Sequence, residues 1–174
     1  LIIFMLINYF SFQDYLFLLL TLSILILGII SDIDFLRSPK KRIFFQTLII
    51  VIFLISSNIY FTDLRLNQLN VLLDYYPVAI IFNAFCILVL VNGTNLIDGL
   101  NNSVIGYFIS IGLILTILSN DYDLVFDKNL LSIILIVLSV IYVFNFFGKL
   151  YLGDGGSYLL SFIFAIILIK YINY

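Results

Sequence analysis

Apolar runs repeat along the whole chain, broken only by polar stretches of two to thirteen residues. They cover residues 1–12, 15–30, 43–61, 75–91, 104–118, 130–147 and 158–174. Apolar residues make up 64% of the 174 and charged residues 10%, against roughly 45–50% and about 25% in soluble domains. A domain of this size still exposes about a third of its unfolded surface, so so much apolar surface has nowhere to hide in water. A soluble globular domain and a disordered chain are excluded. So is a nucleic-acid binder, because the net charge is −2 and no basic patch dominates. Segments such as LFLLLTLSILILGII show no period-two alternation, which argues against a membrane β-barrel. The expected fold is all-α: a polytopic transmembrane helix bundle with about six full spans, run 1–12 being a clipped helix. Several runs fall short of the ~20 residues a hydrocarbon core requires, and flanking Tyr, Phe and Ser extend them into the interface.

Two absences limit the chemistry. The chain has no histidine and no glutamate, so every carboxylate side chain is one of ten aspartates. The lone cysteine, Cys86, excludes a disulfide framework and reads as a small apolar filler. The chain starts at Leu1 inside one apolar run and ends at Tyr174 in another. It is therefore read as an internal fragment, a single integral membrane domain over residues 1–174 with N-terminal spans and a C-terminal loop beyond it.

Alternation along the spans sorts the polar breaks onto two sides. One side holds 31–42, 92–102 and 148–157; the other holds 13–14, 62–74 and 119–129. Arg37, Lys40, Lys41, Arg42 and Lys149 fall on the first side, and Arg65, Lys128 and Lys170 on the second. The positive-inside rule places the first side in the cytoplasm; a multi-pass protein of the inner (plasma) membrane is expected. Six of nine glycines also lie in or beside that side: Gly93, Gly99, Gly148, Gly153, Gly155 and Gly156. The second side reads as plain solvated connection.

Each break of the glycine-rich side brings an aspartate to a helix end. Asp32 and Asp34 follow LILGII, Asp98 sits in NGTNLIDGLNNS, and Asp154 sits in FGKLYLGDGGSY. Convergent carboxylates with Asn and Gly neighbours are hard oxygen ligands suited to Mg2+ or Mn2+. GDGGS reads as a turn opening the last helix, where free N–H groups favour a phosphate; it reads equally as a turn capped by Ser157. RSPKKR is either a basin that draws an anionic substrate or topogenic charge against anionic lipid. Ser38 and Pro39 mark the start of a helix. Asn83 is either an interhelical hydrogen-bonding residue or a site residue. Asn145 precedes Lys149 by four residues, which on one continuing helix puts both on one face.

Together these segments resemble the polyprenyl-phosphate N-acetylhexosamine-1-phosphate transferases of glycosyltransferase family 4. SDIDFLRSPKKRIFFQ is similar to the family's acidic loop followed by S-P-K-x-R. NGTNLIDGLNN is similar to its N-x-x-N-x-x-D-G-x-N-G segment. NFFGKLYLGDGGSYLLSF is similar to its F-G-K-I-x-x-G-D-x-G-S segment, the most specific of the three. The resemblance spans residues 31–162. The chain departs from it in three places: Ser31–Asp32 stands where two carboxylates are common, Asn101–Asn102 replaces N-G, and the later loop with histidine and arginine is absent.

The resemblance implies transfer of an N-acetylhexosamine-1-phosphate from a UDP-sugar to a polyprenyl (undecaprenyl) phosphate, with release of UMP. The partners it implies are UDP-N-acetylhexosamine, the lipid phosphate and the membrane; a homodimer is compatible with it. It assigns Mg2+ (or Mn2+) to Asp154 and Asn95, and catalytic roles to Asp32, Asp98 and Lys149. Asp32 would receive or orient the lipid phosphate's proton, Asp98 would assist the metal or hold the nucleotide, and Lys149 would add a point charge. Asn92, Asn145, Gly155, Ser157 and Lys41 are its candidate substrate-binding residues. A chain without the later cationic loop is expected to be inactive by itself. An ion-coupled transporter, with acids at the membrane midplane, and a non-catalytic membrane subunit are the alternatives.

Overall fold

A computed structural model describes residues 12–98, 102–118 and 125–173. The run 1–11, Gly99, Asn101 and the loop centre with Asp121 lie outside the described residues. All regular structure among the described residues is helical. The elements are α1 (Phe12–Asp32), α2 (Pro39–Ser57), α3 (Asn67–Leu73), α4 (Tyr76–Ile97), α5 (Ser103–Leu118), α6 (Val125–Phe146) and α7 (Gly153–Ile172).

By length and composition, three segments are long and apolar enough to cross a membrane: Tyr15–Asp32, Tyr76–Ile97 and Gly153–Ile172. Shorter apolar helices cover Ser103–Leu118 and Leu131–Phe146. α2 has 19 residues, but Lys40, Lys41 and Arg42 stand in its first turn. Helices thus form at all six expected runs, and three of them meet the length and charge demands of a full span.

The last helix is the centre of the bundle. α7 packs most extensively on α1 and α4, and touches α5. Phe162, Ala165, Ile166 and Ile169 of α7 join Ile24 of α1, Phe53 and Leu54 of α2, and Ile87 and Val91 of α4 in one core. On its other side, Leu160, Phe164 and Ile167 join Val104, Ile105 and Phe108 of α5 and Leu131 and Leu138 of α6 in a second. A helix apolar all round is one that is enclosed, and α7 fits that rule.

Several boundaries differ from the hydropathy reading. α2 starts as expected, with extended Ser38 at the N-cap and Pro39 in the first turn. It stops at Ser57 rather than residue 61, because Asn58 turns left-handed at φ 54. Residues 59–61 then fold onto the core, where the buried Asn83 side chain accepts the Phe61 N–H at 2.8 Å. Asn83 thus ties the segment after α2 to α4, at the end of the bundle away from Asp32, Asp98 and Asp154. The break 62–74 contains α3, whose Leu73 is buried, and is more than solvated connection. α4 continues past residue 91 to Ile97 because its polar side chains find partners inside the bundle. Asn92 donates to Leu88 O and Gln46 Oε1, both at 2.9 Å, and Thr94 donates to Leu90 O. α6 ends in a Schellman turn: Gly148, at φ 65, donates to Asn145 O and Lys149 donates to Phe144 O.

α1 and α7 meet backbone to backbone. A Cβ on Gly28 would stand 2.4 Å from the Gly155 Cα and 2.7 Å from the Asp154 carbonyl oxygen. Small residues permit this approach between membrane helices. Gly28→Ala is expected to lower the thermal midpoint in detergent, at a cost of about 1–3 kcal/mol for overpacking. Gly93→Ala, where the added methyl meets nothing within 4 Å, should be neutral or stabilising by up to ~1 kcal/mol. Equal behaviour of the two variants in thermal denaturation would contradict the α1–α7 contact.

Candidate active site at one end of the bundle

Four helix ends meet at one end of the bundle. The last turn of α1 brings Ser31 and Asp32, the first turn of α2 brings Arg42, the last turn of α4 brings Asn95 and Asp98, and the first turn of α7 brings Asp154 to Tyr158. GDGGS is itself the first turn of α7, so Ser157 lies inside the helix and the N-cap position is Leu152.

Asp32 holds that first turn. Its carboxylate accepts the backbone N–H groups of Asp154 at 2.8 Å and Gly155 at 3.0 Å. It also fills the place of a side chain at Gly153, where a Cβ would lie 2.8 Å from Oδ2. A helix N-terminus has orphan donors and a partial positive charge. Here an internal carboxylate supplies both acceptor and counter-charge, so the Gly155 N–H is engaged by Asp32.

The Asp154 side chain joins α7 to α1 and α2. Its Oδ2 accepts from the Ser31 hydroxyl at 2.5 Å and from Arg42 Nη1 at 2.9 Å. The same Nη1 reaches Ser31 Oγ at 2.8 Å. Tyr158, buried one turn further along α7, sets its hydroxyl within hydrogen-bonding reach of both Ser31 and Arg42. The Arg42 and Asp154 side chains are 27% and 22% exposed. They are open enough to be reached by a ligand and sheltered enough that salt screens the pair only partly.

Asn95 and Ser157 join α4 to α7, the Ser157 hydroxyl donating to Asn95 Oδ1 at 2.9 Å. One turn deeper, Thr94 and Ser161 share a buried hydrogen bond. Asp98 closes the cluster, with the Gly153 N–H on its side. Partial burial pushes its carboxyl above the ordinary aspartate range, the charges of Asp154 and Asp32 push it further, and the Gly153 N–H offsets part of this.

Asp32, Asp98, Asp154, Asn95, Gly155 and Ser157 are thus brought together. The other candidates are not. Asn92 faces Gln46. Asn145 is buried and staples two turns, its Oδ1 accepting the Asn102 N–H and its amide donating to Leu150 O. Lys149 is exposed and lies beyond the end of α6, so it shares no helix face with Asn145. Lys41 is exposed, and the neighbouring Arg42 turns inward in its place. The residues missed by sequence reasoning are Ser31, Arg42 and Tyr158. Arg42 had a signal: the buried stripe of α2 runs through Gln46, Ile50, Phe53, Leu54 and Ser57, and one turn back along it is position 42.

Within the cluster itself, three carboxylates and one guanidinium sum to two formal negative charges (−3 and +1), while Arg37, Lys40 and Lys41 stand exposed elsewhere at the same end. Among the described residues no group of three acidic, histidine or cysteine side chains forms a metal cage of its own. The donor set instead suits a Mg2+-like ion that takes one or two carboxylates and leaves its other positions to amide oxygens, water and substrate phosphate.

The family described as Glycosyl transferase family 4 matches residues 15–172. The chain belongs to glycosyl transferase family 4. No curated protein and no solved structure matches it. Membership and the apolar helices make it a membrane transferase of the sugar-phosphate type, and all four helix ends of the site lie within the matched residues.

The raised pKa of Asp98 carries a stability consequence. Its folded state holds the proton more tightly than the unfolded chain does, so its contribution is favourable at low pH and is lost as pH rises through the raised value. Asp98→Asn should therefore raise the thermal midpoint of the chelator-treated transferase near pH 7 by roughly 1–3 °C. The gain should shrink on acidification. A lower midpoint for Asp98→Asn at neutral pH would contradict the repulsion between these carboxylates.

Proposed function

We propose that this transferase moves an N-acetylhexosamine-1-phosphate from a UDP-sugar to a polyprenyl phosphate, undecaprenyl phosphate being the expected lipid, and releases UMP. An oxygen of the lipid phosphate attacks the sugar-bearing phosphorus of the nucleotide diphosphate. The bond from that phosphorus to the UMP oxygen breaks, and UMP leaves with the electron pair. Such an exchange brings anions together, so positioning and charge stabilisation do most of the catalytic work.

The observation that carries this reading is the meeting of Asp32, Asp98 and Asp154 at the ends of α1, α4 and α7. Acids at helix ends fit chemistry at a membrane face better than an ion-coupled transporter, which would carry them in broken helices at the midplane. Arg37, Lys40, Lys41 and Arg42 crowd the same end of the bundle, which favours a cytoplasmic site in the inner membrane. A lipid phosphate in the bilayer surface and a nucleotide sugar in the cytoplasm can meet there.

Asp154 and Asn95 would hold Mg2+ or Mn2+. Bound there, the ion would supply positive charge against the diphosphate. Asp32 is assigned an orienting role rather than that of proton acceptor, since both its oxygens already hold the first turn of α7. Ser157 keeps the Asn95 carboxamide turned toward α7. Asp98, partly buried and repelled by Asp154 and Asp32, adds negative field on the cation side.

In the full-length protein, Asp154→Asn is expected to lower transfer of labelled sugar phosphate to lipid by at least ~100-fold. Asp63→Asn is the control. Asp63 lies at the other end of the bundle, where the Arg65 N–H and Asn70 hold its carboxyl below the ordinary range. That variant should stay within ~2-fold of the parent. Comparable losses in both, or full activity in Asp154→Asn, would refute the assignment.

A further inference from the structure

The Arg42–Asp154 pair is an ion pair inside a site whose carboxylates are proposed to hold a divalent cation. The guanidinium stands 2.9 Å from Oδ2, and the Ser31 hydroxyl occupies the same oxygen. Two hydrogen bonds fix Arg42 there, to Asp154 itself and to Ser31 Oγ. The neighbouring lysines, Lys40 and Lys41, are exposed and are not drawn to the carboxylate. The helix register of α2 thus delivers one chosen cation to Asp154.

Any metal ion that approaches Asp154 meets a carboxylate whose charge is already balanced. A monovalent ion brings no more charge than the guanidinium and lacks its directed hydrogen bonds. A divalent ion brings twice the charge and also interacts with Asp98 and Asp32 nearby. We propose that Arg42 is a specificity-determining residue of the cation site, a built-in counter-cation that sets the threshold at Asp154 so that divalent ions bind and monovalent ions do not. This rests on the metal reading given under Proposed function. It differs from a propping role in the sign of its effect: a prop, once removed, weakens metal binding, whereas a competing charge, once removed, strengthens it.

The test is a Mn2+ titration of the purified protein in detergent, without substrates, read by the EPR signal of free Mn2+. Arg42→Gln and Arg42→Met remove the charge, the second keeping much of the apolar stem. Each is expected to bind Mn2+ at least ~5-fold more tightly than the parent, the scale of one unit charge a few ångströms from the ion after solvent screening. In both, added K+ should compete with Mn2+ more strongly than in the parent. Lys40→Gln, which removes an exposed charge from the same turn of α2 and leaves the Arg42–Asp154 pair intact, should bind within ~3-fold of the parent. Weaker or unchanged Mn2+ binding in a folded Arg42→Gln or Arg42→Met protein overturns the proposal. Should both fail to fold, Arg42→Lys decides: retained charge predicts affinity within ~3-fold of the parent, and a larger change overturns it. Asp154→Asn separates the two readings. If it binds Mn2+ as the parent does, the metal assignment itself is wrong; if it abolishes binding while the Arg42 variants do not tighten it, only the threshold role is wrong.

Discussion

The first turn of α7 depends on one carboxylate. Asp32 takes the N–H groups of Asp154 and Gly155, which, standing in the first turn of a helix, have no carbonyl of a preceding turn to bond. This tie is possible because α1 and α7 approach through Gly28 and Gly155, with no side chain between their backbones. Close packing brings the carboxylate within reach, and the carboxylate in turn fixes the height of α7 against α1. Asp154 is thereby set beside Ser31 and Arg42. The helix N-terminus that GDGGS offers is used internally first, and the site is built from the side chains it positions.

Charge within the carboxylate cluster is left unbalanced. Asp98 carries the strain: its carboxyl is pushed above the ordinary range by burial and by two neighbouring carboxylates. Arg42 compensates one charge. The rest is a standing attraction for cations, placed where a transferase must handle phosphates that repel one another. Below the charged layer, Gln46 with Asn92 and Thr94 with Ser161 form hydrogen bonds between helices. They let α4 stay helical up to the aspartate rather than break into a loop.

Much of this is legible in the residues. The apolar runs give the helices, and alternation with the placement of Asp, Asn and Gly puts Asp32, Asp98 and Asp154 on one side, where the structure also joins them. Hydropathy misplaces the ends of α4 and α7, because Asn92, Thr94 and Ser157 look like loop residues until their partners on other helices are known. Charge alone cannot choose between Lys41 and Arg42, which are adjacent and of one sign; only the buried stripe of α2 does. Asn145 and Lys149 read as neighbours on one helix, and the Schellman turn at Gly148 separates them. Ser31 looks like a lost carboxylate in sequence, and in the fold it is a donor to the one that remains at Asp154.

The central claim is that the last turn of α1 and the first turn of α7 meet at Asp154. Cysteine cross-linking in native membranes tests it most directly, using a Ser31→Cys, Asp154→Cys pair in a background where Cys86 is replaced by alanine. The two native side chains lie in hydrogen-bond contact, so mild oxidation or Hg2+ should link the pair nearly completely. A Ser31→Cys, Asp63→Cys pair, at opposite ends of the bundle, should not link within one chain. Failure of the first pair to cross-link, while each single cysteine still reacts with a soluble maleimide, would contradict the account.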